Sequence, residues 1–524
     1  MANKSLFQSF FGKQPVLADT VNEAGGRAYS MTAKHQLAQY AATGSLSQTF
    51  YASGAEQLET VLKLTAEISP EFIAKTALYA RQSGYMKDMP ALLCAILSVK
   101  SPGLLAEIFD RVIDNPKMLR NFVQIMRSGV VGRKSLGTLP KRLILQWMEA
   151  KTDKQLFAGS VGNDPSLADV VKMVHPKPAS ASRNALFAYL IGKECNKDDL
   201  PEIVQQYEKF KRNTNPGKVV APDVPFQMLT ALPLTKADWE RIARNASWQM
   251  TRMNLNTFAR HGVFNNKEMV KVIANRLRNV ELIRKAKVFP YQLLTAWNNV
   301  DQAVPSDVRN ALQDAMEIAT QNVPGVDGKV YVFPDISGSM HSPVTGYRAG
   351  ATTATRCIDV AALVAAAVMR RNPNTEVVPF SDHVVNCRLN PKDSVMTNAE
   401  KLAKLPSGGT NCSAPLAHLN KQNAKGDLII YVSDNESWID TNRAWAGKLA
   451  TETMSQWNVF KKRNRQAKMI CIDIQPYGTT QAKESADIIN VGGFSDHVFQ
   501  LIADVAHGRF SEGHWVNEIE KISI

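Results

Sequence analysis

The sequence has little cysteine and no long apolar run, and both shortages exclude classes of protein. Its six cysteines among 524 residues lie at irregular spacing without a C-x-x-C pair, which favours buried thiols over a zinc or redox centre. No apolar stretch approaches the roughly 20 residues that cross a bilayer. The N-terminus, MANKSLFQSFFGKQP, lacks the small-residue cleavage site of a secretory signal. We therefore expect a cytoplasmic protein without a membrane partner.

Positive charge is unevenly distributed along the chain. Residues 1–325 contain 41 Lys and Arg against 28 Asp and Glu, whereas residues 326–524 contain 21 against 20. Nearly all of the formal net charge of +14 therefore belongs to the first part. Clustered positive charge attracts polyanions, so we expect a nucleic acid to bind there. A lysine-rich helical domain without such a ligand is the alternative that charge alone leaves open.

A length of 524 residues exceeds what a single hydrophobic core supports, and two different patterns follow each other along the chain. From Leu58 to about Ala319, apolar residues recur at spacings of three and four, which is typical of amphipathic helices. Short breaks that contain Pro or Gly separate the helices and suit antiparallel helix pairs. We therefore predict an α-solenoid of HEAT-like helical repeats over residues 1–325. The stretches at residues 127–137 and 211–225 interrupt it as loops.

After residue 325 the pattern changes to short buried strands that alternate with helices. KVYVFPDIS, EVVPFSD, DLIIYVSD and AKMICIDIQ each have the continuous apolar character of parallel strands. A helix, ATRCIDVAALVAAAVMRR, lies between the first two. This alternation predicts a doubly wound α/β domain over residues 326–524. The chain is therefore expected to be a multidomain protein.

Polar residues that suit a hard metal ion follow two of these strands. In an open α/β sheet the binding crevice lies at the carboxyl ends of the strands. The first strand runs into Asp335, Ser337 and Ser339, a later strand presents Asp434, and the loop SGGTNCS between them supplies Thr410. Two carboxylates and three hydroxyls form an all-oxygen set. Such a set suits Mg²⁺ or another divalent cation better than zinc.

The identity and order of these ligands resemble the metal-ion-dependent adhesion site of a von Willebrand factor A domain. The resemblance implies a domain that binds a partner and catalyses no reaction. These motifs place no general base beside a nucleophile; Glu436 follows Asp434 and is interpreted either as a surface residue or as a group that orients metal-bound water. A metal-dependent nuclease is disfavoured, because one site with hydroxyl ligands lacks the paired carboxylate clusters of two-metal chemistry.

The stretch GRKSLGTLPKRL combines a helix start with an excess of cations. Thr138 and Pro140 mark the start, so Lys141 and Arg142 fall in the first turn, where the helix dipole disfavours positive charge. Cations at a positive helix end indicate an anionic ligand such as phosphate. The preceding loop adds three further cations, Arg127, Arg133 and Lys134. A solvated basic loop is the alternative interpretation.

Six stretches of the helical part, in combination with the A domain, resemble the Ro autoantigen family, in particular its bacterial members, whose N-terminal part is the TROVE module. They are GSLSQTFYAS, ARQSGYMKDMPALLCAI, GRKSLGTLPKRL, LADVVKMVHPKP, LPLTKADWERIARNASWQMTRMN and ELIRKAKVFPYQLLTAW, in this order. The resemblance covers nearly the whole chain. It implies a ring of helical repeats whose basic outer surface binds small structured Y RNAs. The central hole of such a ring takes the single-stranded 3′ ends of misfolded non-coding RNAs.

The resemblance also implies a role in RNA quality control or processing, with polynucleotide phosphorylase or another RNA-processing protein as a partner. It places His175 on the RNA-binding surface, and Lys172 and Lys177 flank this residue. A helix-end cap is the other interpretation of a histidine before proline. A lysine that the family uses upstream falls at or near Ala158 here, so we expect the Y RNA contacts of this region to differ.

A further basic cluster near the end of the helical part consists of Arg284, Lys285 and Lys287. RNA contact and a solvated face are both compatible with it. From all these features we predict a non-enzymatic RNA-binding protein, whose binding weakens steeply with salt and depends on shape and unpaired ends more than on sequence. The alternative function is a protein-interaction adaptor that acts through the metal site, with the helical part as scaffold.

Overall fold

The computed structural model describes residues 16–286, 289–321, 323, 325–348, 354–438 and 449–524 of the chain. Helices dominate up to residue 319 and a parallel sheet with helices follows, which confirms the predicted fold class. The chain forms two compact units. The sheet unit contains the described residues of Met1–Ile68, Phe289–Leu294 and Ala319–Lys521. The helical unit contains those of Ser69–Val288, Thr295–Ile318 and Ile522–Ile524.

The first part of the chain begins with two short strands and continues with helices. The strands are β1 (Thr20–Val21) and β2 (Arg27–Ser30). The helices are α1 (Ala33–Thr43), α2 (Gly54–Glu67), α3 (Pro70–Gln82), α4 (Asp88–Lys100), α5 (Pro102–Val112), α6 (Pro116–Ser128), α7 (Thr138–Glu149), α8 (Asp153–Gly159), α9 (Leu167–Val174), α10 (Ala181–Leu190), α11 (Glu202–Arg212), α12 (Lys236–Asn245), α13 (Trp248–Met253), α14 (Leu255–Arg260), α15 (Lys267–Leu277), α16 (Val280–Ala286), α17 (Pro290–Asn299) and α18 (Ser306–Ala319). Short 3-10 helices at Lys197–Asp199, Phe226–Met228 and Val263–Asn265 lie between them. In the described ranges, no helix has the length and apolar character needed to cross a bilayer.

Local signals in the sequence explain many helix starts. Pro70, Pro102 and Pro290 are each the first residue of a helix, because proline has no N–H and the nitrogen of a first-turn residue needs no hydrogen-bond partner within the helix. Ser166 begins α9 with a capping box, in which its side chain accepts the Asp169 N–H and the Asp169 carboxylate accepts the Ser166 N–H. These signals fix where the helices begin.

The helical unit is built from helices that pack on their neighbours in the chain. Helix α3 contacts α4 and α5, α4 contacts α6, α5 contacts α7, and α9 contacts α10. Polar groups inside the packing are paired: the Trp147 indole N–H of α7 donates to the Ile113 carbonyl at 2.6 Å. Arg81 of α3 forms two hydrogen bonds of 2.9 Å from Nη2 to the Asp114 carboxylate. Neighbour-to-neighbour packing of this kind is typical of helical repeats.

The sheet unit contains a five-stranded parallel sheet with the strand order β4-β3-β5-β6-β8. The remaining strands are β3 (Val330–Pro334), β4 (Thr375–Val377), β5 (Leu428–Ser433), β6 (Lys468–Asp473), β7 (Thr479–Thr480) and β8 (Ile488–Gly492). The remaining helices are α19 (Cys357–Arg371), α20 (Val395–Ala403), α21 (Ala414–Lys421), α22 (Glu452–Arg463), α23 (His497–Ala506) and α24 (His514–Glu520), with a 3-10 helix at Ser339–His341. Three of the four predicted strand stretches are strands over most of their length; EVVPFSD forms only the short β4, and β8 was not predicted.

The N-terminal hairpin and α1 belong to the sheet unit. Strand β2 pairs with β7, with Tyr29 opposite Thr480, and Tyr29 is fully buried in the same core as Phe333 and Trp457. Helix α1 contacts β8 and α24. As a division of the sequence, the boundary at residue 325 stays a prediction. The compact unit around the sheet nevertheless includes this earlier segment, because the segment buries apolar side chains in the core of the sheet unit.

Candidate metal centre and nucleic-acid surface

The loops that carry the predicted metal ligands meet where β3 and β5 end. The backbone N–H of Asp335 donates to the Val432 carbonyl at 3.0 Å, which continues the pairing of the two strands. Ser433 Oγ then donates to Asp335 Oδ2 at 2.6 Å. The loop with Thr410 joins them because the Gly338 N–H donates to the carbonyl of Gly408 at 2.9 Å. The topology therefore places all three loops at one edge of the sheet.

Hydrogen bonds among the predicted ligands hold their oxygen atoms close to each other. The Ser337 N–H donates to Asp335 Oδ1 at 2.8 Å, and the hydroxyl oxygens of Ser337 and Ser339 are 3.3 Å apart. The Ser339 hydroxyl lowers the pKa of Asp434 and so opposes the effect of burial, which indicates that the two side chains are close neighbours. All five predicted ligands, including Thr410, are at most 5% exposed. The set is therefore a compact, buried group of oxygen donors.

A glycine lets the third loop approach the others. A Cβ atom at Gly409 would lie 2.4 Å from Trp438 Nε1, a distance that no real side chain tolerates. The Trp438 N–H donates to the Thr410 carbonyl at 3.1 Å. The two loops are therefore packed tightly, and this contact holds the backbone of Thr410.

Four acidic side chains, Asp335, Asp434, Glu436 and Asp473, are buried at this edge of the sheet. Burial, and then the charge of Asp434, raises the pKa of Asp335 to about 7, and burial raises the pKa of Asp434. Burial and neighbouring carboxylates also hold the pKa values of Glu436 and Asp473 well above their usual range. In the part of the chain that the structure describes, the hydrogen-bond partners of Asp335 and Asp434 are hydroxyl and N–H groups, not cationic side chains.

The donor set fits a hard divalent cation. Buried carboxylates repel each other in a low-dielectric surrounding, and a cation among them offsets this repulsion. The described residues contain no group of three or more His, Cys, Asp or Glu side chains arranged for a metal, so the hydroxyls of Ser337, Ser339 and Thr410 are an essential part of the set. Hydroxyl and carboxylate oxygens together are the donors that Mg²⁺ prefers.

Glu436 is fully buried, so its interpretation as a surface residue is wrong. Its Oε2 accepts the N–H of Ala24 at 3.3 Å, while its Oε1 has no hydrogen-bond partner among the described residues. Asn22 of the N-terminal hairpin donates to the Ser437 carbonyl at 2.9 Å. The hairpin is therefore hydrogen-bonded to the loop that follows Asp434 and holds it in place. The sequence did not reveal this contact, because 412 residues separate Ala24 from Glu436.

In the helical unit, a cleft of about 520 Å³ lies at the start of α7. It is lined by Ser135, Gly137, Thr138, Lys141, Arg142, Leu145 and Val174. Helix α7 begins without a side-chain cap and without an acidic residue in its first turn, and Lys141 and Arg142 are exposed there. The free N–H groups of the first turn and both cations therefore place positive charge at the cleft, and the binding of an anion there stays a prediction.

The end of α9 contributes to the same cleft. Val174 is its last residue and lines the cleft, and His175 follows with a left-handed φ of 55° and an exposed side chain. Lys172 and Lys177 are exposed on either side of it. The structure therefore places the His175 region, which the resemblance singled out, close to the start of α7.

Two other predicted cations lie near these helix ends. The hydrogen bonds from Ser166 are the largest cause of the lowered pKa of Asp169. Burial opposes them, and the charges of Lys172 and Arg127 lower this pKa further. Arg127 at the end of α6 is therefore an electrostatic neighbour of α9. Lys134 is exposed, and its aliphatic part lies over Gly129. These side chains extend the positive surface beyond the cleft.

Arg133 differs from its predicted neighbours, because its guanidinium points into the helical unit. Its Nη2 donates to the Ser98 carbonyl at 3.2 Å and to Ser98 Oγ at 2.9 Å, and its buried Nε has no hydrogen-bond partner in the part of the chain that the structure describes. Such a group holds the loop against α4. Its contacts are those of a structural residue.

The predicted cluster at the end of the helical part lies on another helix. Arg284 and Lys285 are exposed on α16, which packs on α13 and α15, and neither lines the cleft. Arg284 Nη1 lies 3.4 Å from Glu281 Oε1, so its charge is partly offset. Lys287 lies outside the described residues.

Comparison with known proteins agrees with the resemblance. A family model described as the TROVE domain matches residues 165–369, and one described as the Ro60 vWA domain matches residues 329–506. The chain is 23% identical over 528 residues to the RNA-binding protein RO60 of Deinococcus radiodurans, which covers 93% of this chain and 95% of that protein. It is also 23% identical over 330 residues to the RNA-binding protein RO60 of Caenorhabditis elegans. This alignment covers 59% of this chain and 48% of that protein.

A solved structure has the same fold. The crystal structure of the Deinococcus radiodurans RO (RSR) protein matches with a TM-score of 0.59 at 18% identity, over 91% of this chain and 100% of that chain. At this identity the similarity concerns the fold alone. The two family models lie in the order that the sequence predicted, with helical repeats before the sheet. The chain therefore belongs to the Ro family, which combines a TROVE domain with a von Willebrand A domain.

Proposed function

We propose that this chain binds RNA through the exposed cations around the cleft at the start of α7. The observation that carries the proposal is the placement of Lys141 and Arg142 at an uncapped helix start, with the end of α9 at the same cleft. A helix N-terminus with added cations is suited to phosphate groups. The names of two relatives, each an RNA-binding protein, support the choice of RNA as the anion.

The finer proposal follows the family resemblance. Small structured Y-type RNAs bind on this basic surface, and single-stranded 3′ ends of misfolded RNAs enter a central hole of the helical repeats. The chain acts without catalysis in the cytoplasm, in RNA quality control or processing with an exoribonuclease such as polynucleotide phosphorylase. Exposed cations support recognition of backbone and shape, because they contact phosphates and not base edges.

We also propose that Asp335, Ser337, Ser339, Thr410 and Asp434 hold a divalent cation, with Mg²⁺ as the expected ion. The buried carboxylates at this edge of the sheet support it, since they have no cationic side chain among their described hydrogen-bond partners. When bound, the cation supplies positive charge that an acidic group of a partner can approach. This site is the basis of a second candidate function, a protein-interaction adaptor.

A salt titration of RNA affinity tests the first proposal. The ligand is a labelled hairpin RNA with a free single-stranded 3′ end, and binding is followed by fluorescence anisotropy. The test variant carries Lys134→Ala, Lys141→Ala and Arg142→Ala. The matched control carries Lys218→Ala, Lys267→Ala and Lys271→Ala, three exposed lysines elsewhere in the helical unit. Both variants lose three positive charges, so a difference between their salt slopes shows that the position of the cations matters.

We expect the wild type to bind tightly at low salt and the slope of log K against log salt to fall by roughly two in the test variant. Each phosphate contact contributes about 0.7–0.9 to this slope. The control variant should keep nearly the wild-type slope. An unchanged slope in the test variant, together with weak binding by the wild type, would move the function to the metal site and its protein partner.

A further inference from the structure

Two aromatic rings are stacked at the surface of the helical unit. The imidazole of His261 lies nearly parallel to the indole of Trp239, with ring centroids 4.0 Å apart and an angle of 10° between the ring planes. Trp239 is only 6% exposed, whereas His261 is exposed. The tryptophan is therefore the inner ring of the stack and the histidine is the outer ring.

The local fold holds the outer ring in place. Helix α14 ends at Arg260, and the N–H of His261 donates to the Thr257 carbonyl at 3.1 Å. Gly262 then has a left-handed φ of 70°, which glycine adopts without strain, and turns the chain into the 3-10 helix at Val263–Asn265. This short helix contacts both α12, which carries the tryptophan, and α14. The backbone on both sides of His261 is therefore packed against α12 and α14.

Exposed cations lie beside the outer ring. Arg260 immediately precedes His261 in the chain and is exposed. The exposed side chain of Lys236 reaches the residue that follows, because its Cδ lies 3.9 Å from the position of a Cβ atom on Gly262. Lys236 Nζ lies 3.8 Å from Glu240 Oε1, so its charge is only partly offset. An anionic group next to a ligand on the ring would therefore meet positive charge.

Shielding of the tryptophan does not by itself require an aromatic residue at position 261. An aliphatic side chain would keep water from the indole equally well. In the part of the chain that the structure describes, the imidazole of His261 makes no hydrogen bond, so its position depends on stacking. Unpaired bases stack on histidine rings, and the flat face of every base allows this without regard to sequence.

We propose that the outer face of His261 is a stacking platform for one unpaired base of single-stranded RNA, with Lys236 and Arg260 beside the adjoining phosphates. The inference rests on the RNA binding proposed above and adds a place where a base is contacted. This place differs from the cleft at the start of α7, since no residue that lines the cleft belongs to α12 or α14. Bases inside a duplex have no free face, so the platform favours single strands over paired RNA.

The test uses the full chain and two short single-stranded chains of equal length, an oligoadenylate and the same ribose-phosphate chain without bases. Both carry the same charge, so a difference in their affinities, measured by fluorescence anisotropy, is due to the bases. His261→Phe keeps an aromatic ring, whereas His261→Leu keeps only an apolar cover over Trp239. Both replacements are uncharged. Phe50→Leu is the matched control, because Phe50 is an exposed ring of the sheet unit.

We expect the wild type, His261→Phe and Phe50→Leu to bind the oligoadenylate roughly ten-fold more tightly than the chain without bases, the worth of one stacked base. His261→Leu should lose this preference and keep the thermal unfolding midpoint of the wild type. A preference that persists in His261→Leu would overturn the platform and leave RNA binding in place. A wild type that binds neither these chains nor the hairpin RNA would overturn RNA binding and the platform together.

Photocrosslinking tests the platform without a variant. An oligouridylate that contains 5-iodouridine is irradiated in complex with the wild type, and the cross-linked peptides are identified by mass spectrometry. We expect a cross-link at His261, because stacked rings are held in contact. Cross-links confined to peptides outside α12 and residues 255–265 would overturn the platform.

Discussion

His35, which is buried, and Glu484, whose side chain is 16% exposed, form a pair in the sheet unit, and their pKa values are shifted in opposite directions. His35 Nδ1 lies 3.6 Å from Glu484 Oε2, and the imidazole packs edge-on against Trp515 with ring centroids 5.4 Å apart. Burial lowers the pKa of His35 to about 4 and raises the pKa of Glu484 to about 7. Both side chains are therefore neutral in the folded protein between these two pH values.

The two pKa shifts change the stability of the fold in opposite directions as the pH rises. His35 takes up a proton more readily in the unfolded chain, so its contribution to stability rises from about pH 4 to the unfolded pKa of 6.5 and is then constant. Glu484 holds its proton more tightly in the folded chain, so its contribution falls from pH 4.5 to about pH 7. One pKa unit corresponds to about 1.4 kcal/mol, so each effect amounts to about 3 kcal/mol. In the wild type the two nearly cancel.

Single substitutions should separate these effects. In His35→Gln we expect the free energy of unfolding, relative to the wild type, to fall by about 3 kcal/mol as pH rises from about 4 to about 6.5. In Glu484→Gln the relative free energy should rise by a similar amount between pH 4.5 and about 7. Urea denaturation at a series of pH values, followed by tryptophan fluorescence at constant metal concentration, measures both. His383→Gln is the control, because the side chain of His383 is 73% exposed.

An ion pair between the two residues would give the opposite signs. A charged imidazolium beside a carboxylate would raise the pKa of His35 and lower that of Glu484. The relative stability of His35→Gln would then rise with pH above about 6.5. Either this rise, or a pH profile as flat as that of His383→Gln, would refute the reasoning. An NMR titration of the His35 ring gives the same answer directly.

Replacing Trp147 by Phe removes its buried hydrogen bond to the Ile113 carbonyl, so urea denaturation should show a loss of about 1–3 kcal/mol; an unchanged midpoint would contradict this. Changing Asp335 and Asp434 together to Ala should abolish Mn²⁺ binding and leave RNA intact on a denaturing gel, whereas wild-type cleavage that disappears in this variant would indicate a nuclease. Arg133→Ala should lower the free energy of unfolding by about 1–3 kcal/mol without changing the salt slope of RNA binding, because its guanidinium bonds to α4; a lower slope would place Arg133 on the RNA surface.

The sequence predicts those helices and strands whose own residues show a pattern of apolar and polar positions. Strands β3, β5 and β6 are continuous apolar runs, and the helices up to residue 319 have a periodic apolar face. The pairing of Arg27–Ser30 with Thr479–Thr480 carries no such signal, because both strands are short and their pairing depends on contacts between distant parts of the chain. For the same reason the sequence did not show that Tyr29 is in the core of the sheet unit.

The two candidate sites differ in how much of them a sequence can specify. A metal site of the kind proposed needs oxygen donors at fixed places after fixed strands, so the sequence predicts Asp335 and Asp434 individually. An exposed basic surface needs only positive charge at roughly the right distance from phosphates, and many lysines and arginines satisfy that condition. Whether a given cation faces solvent depends on tertiary contacts, as the bonds from Arg133 to Ser98 show. A sequence therefore predicts the neighbourhood of a candidate RNA surface, while the structure shows which of the cations there face solvent.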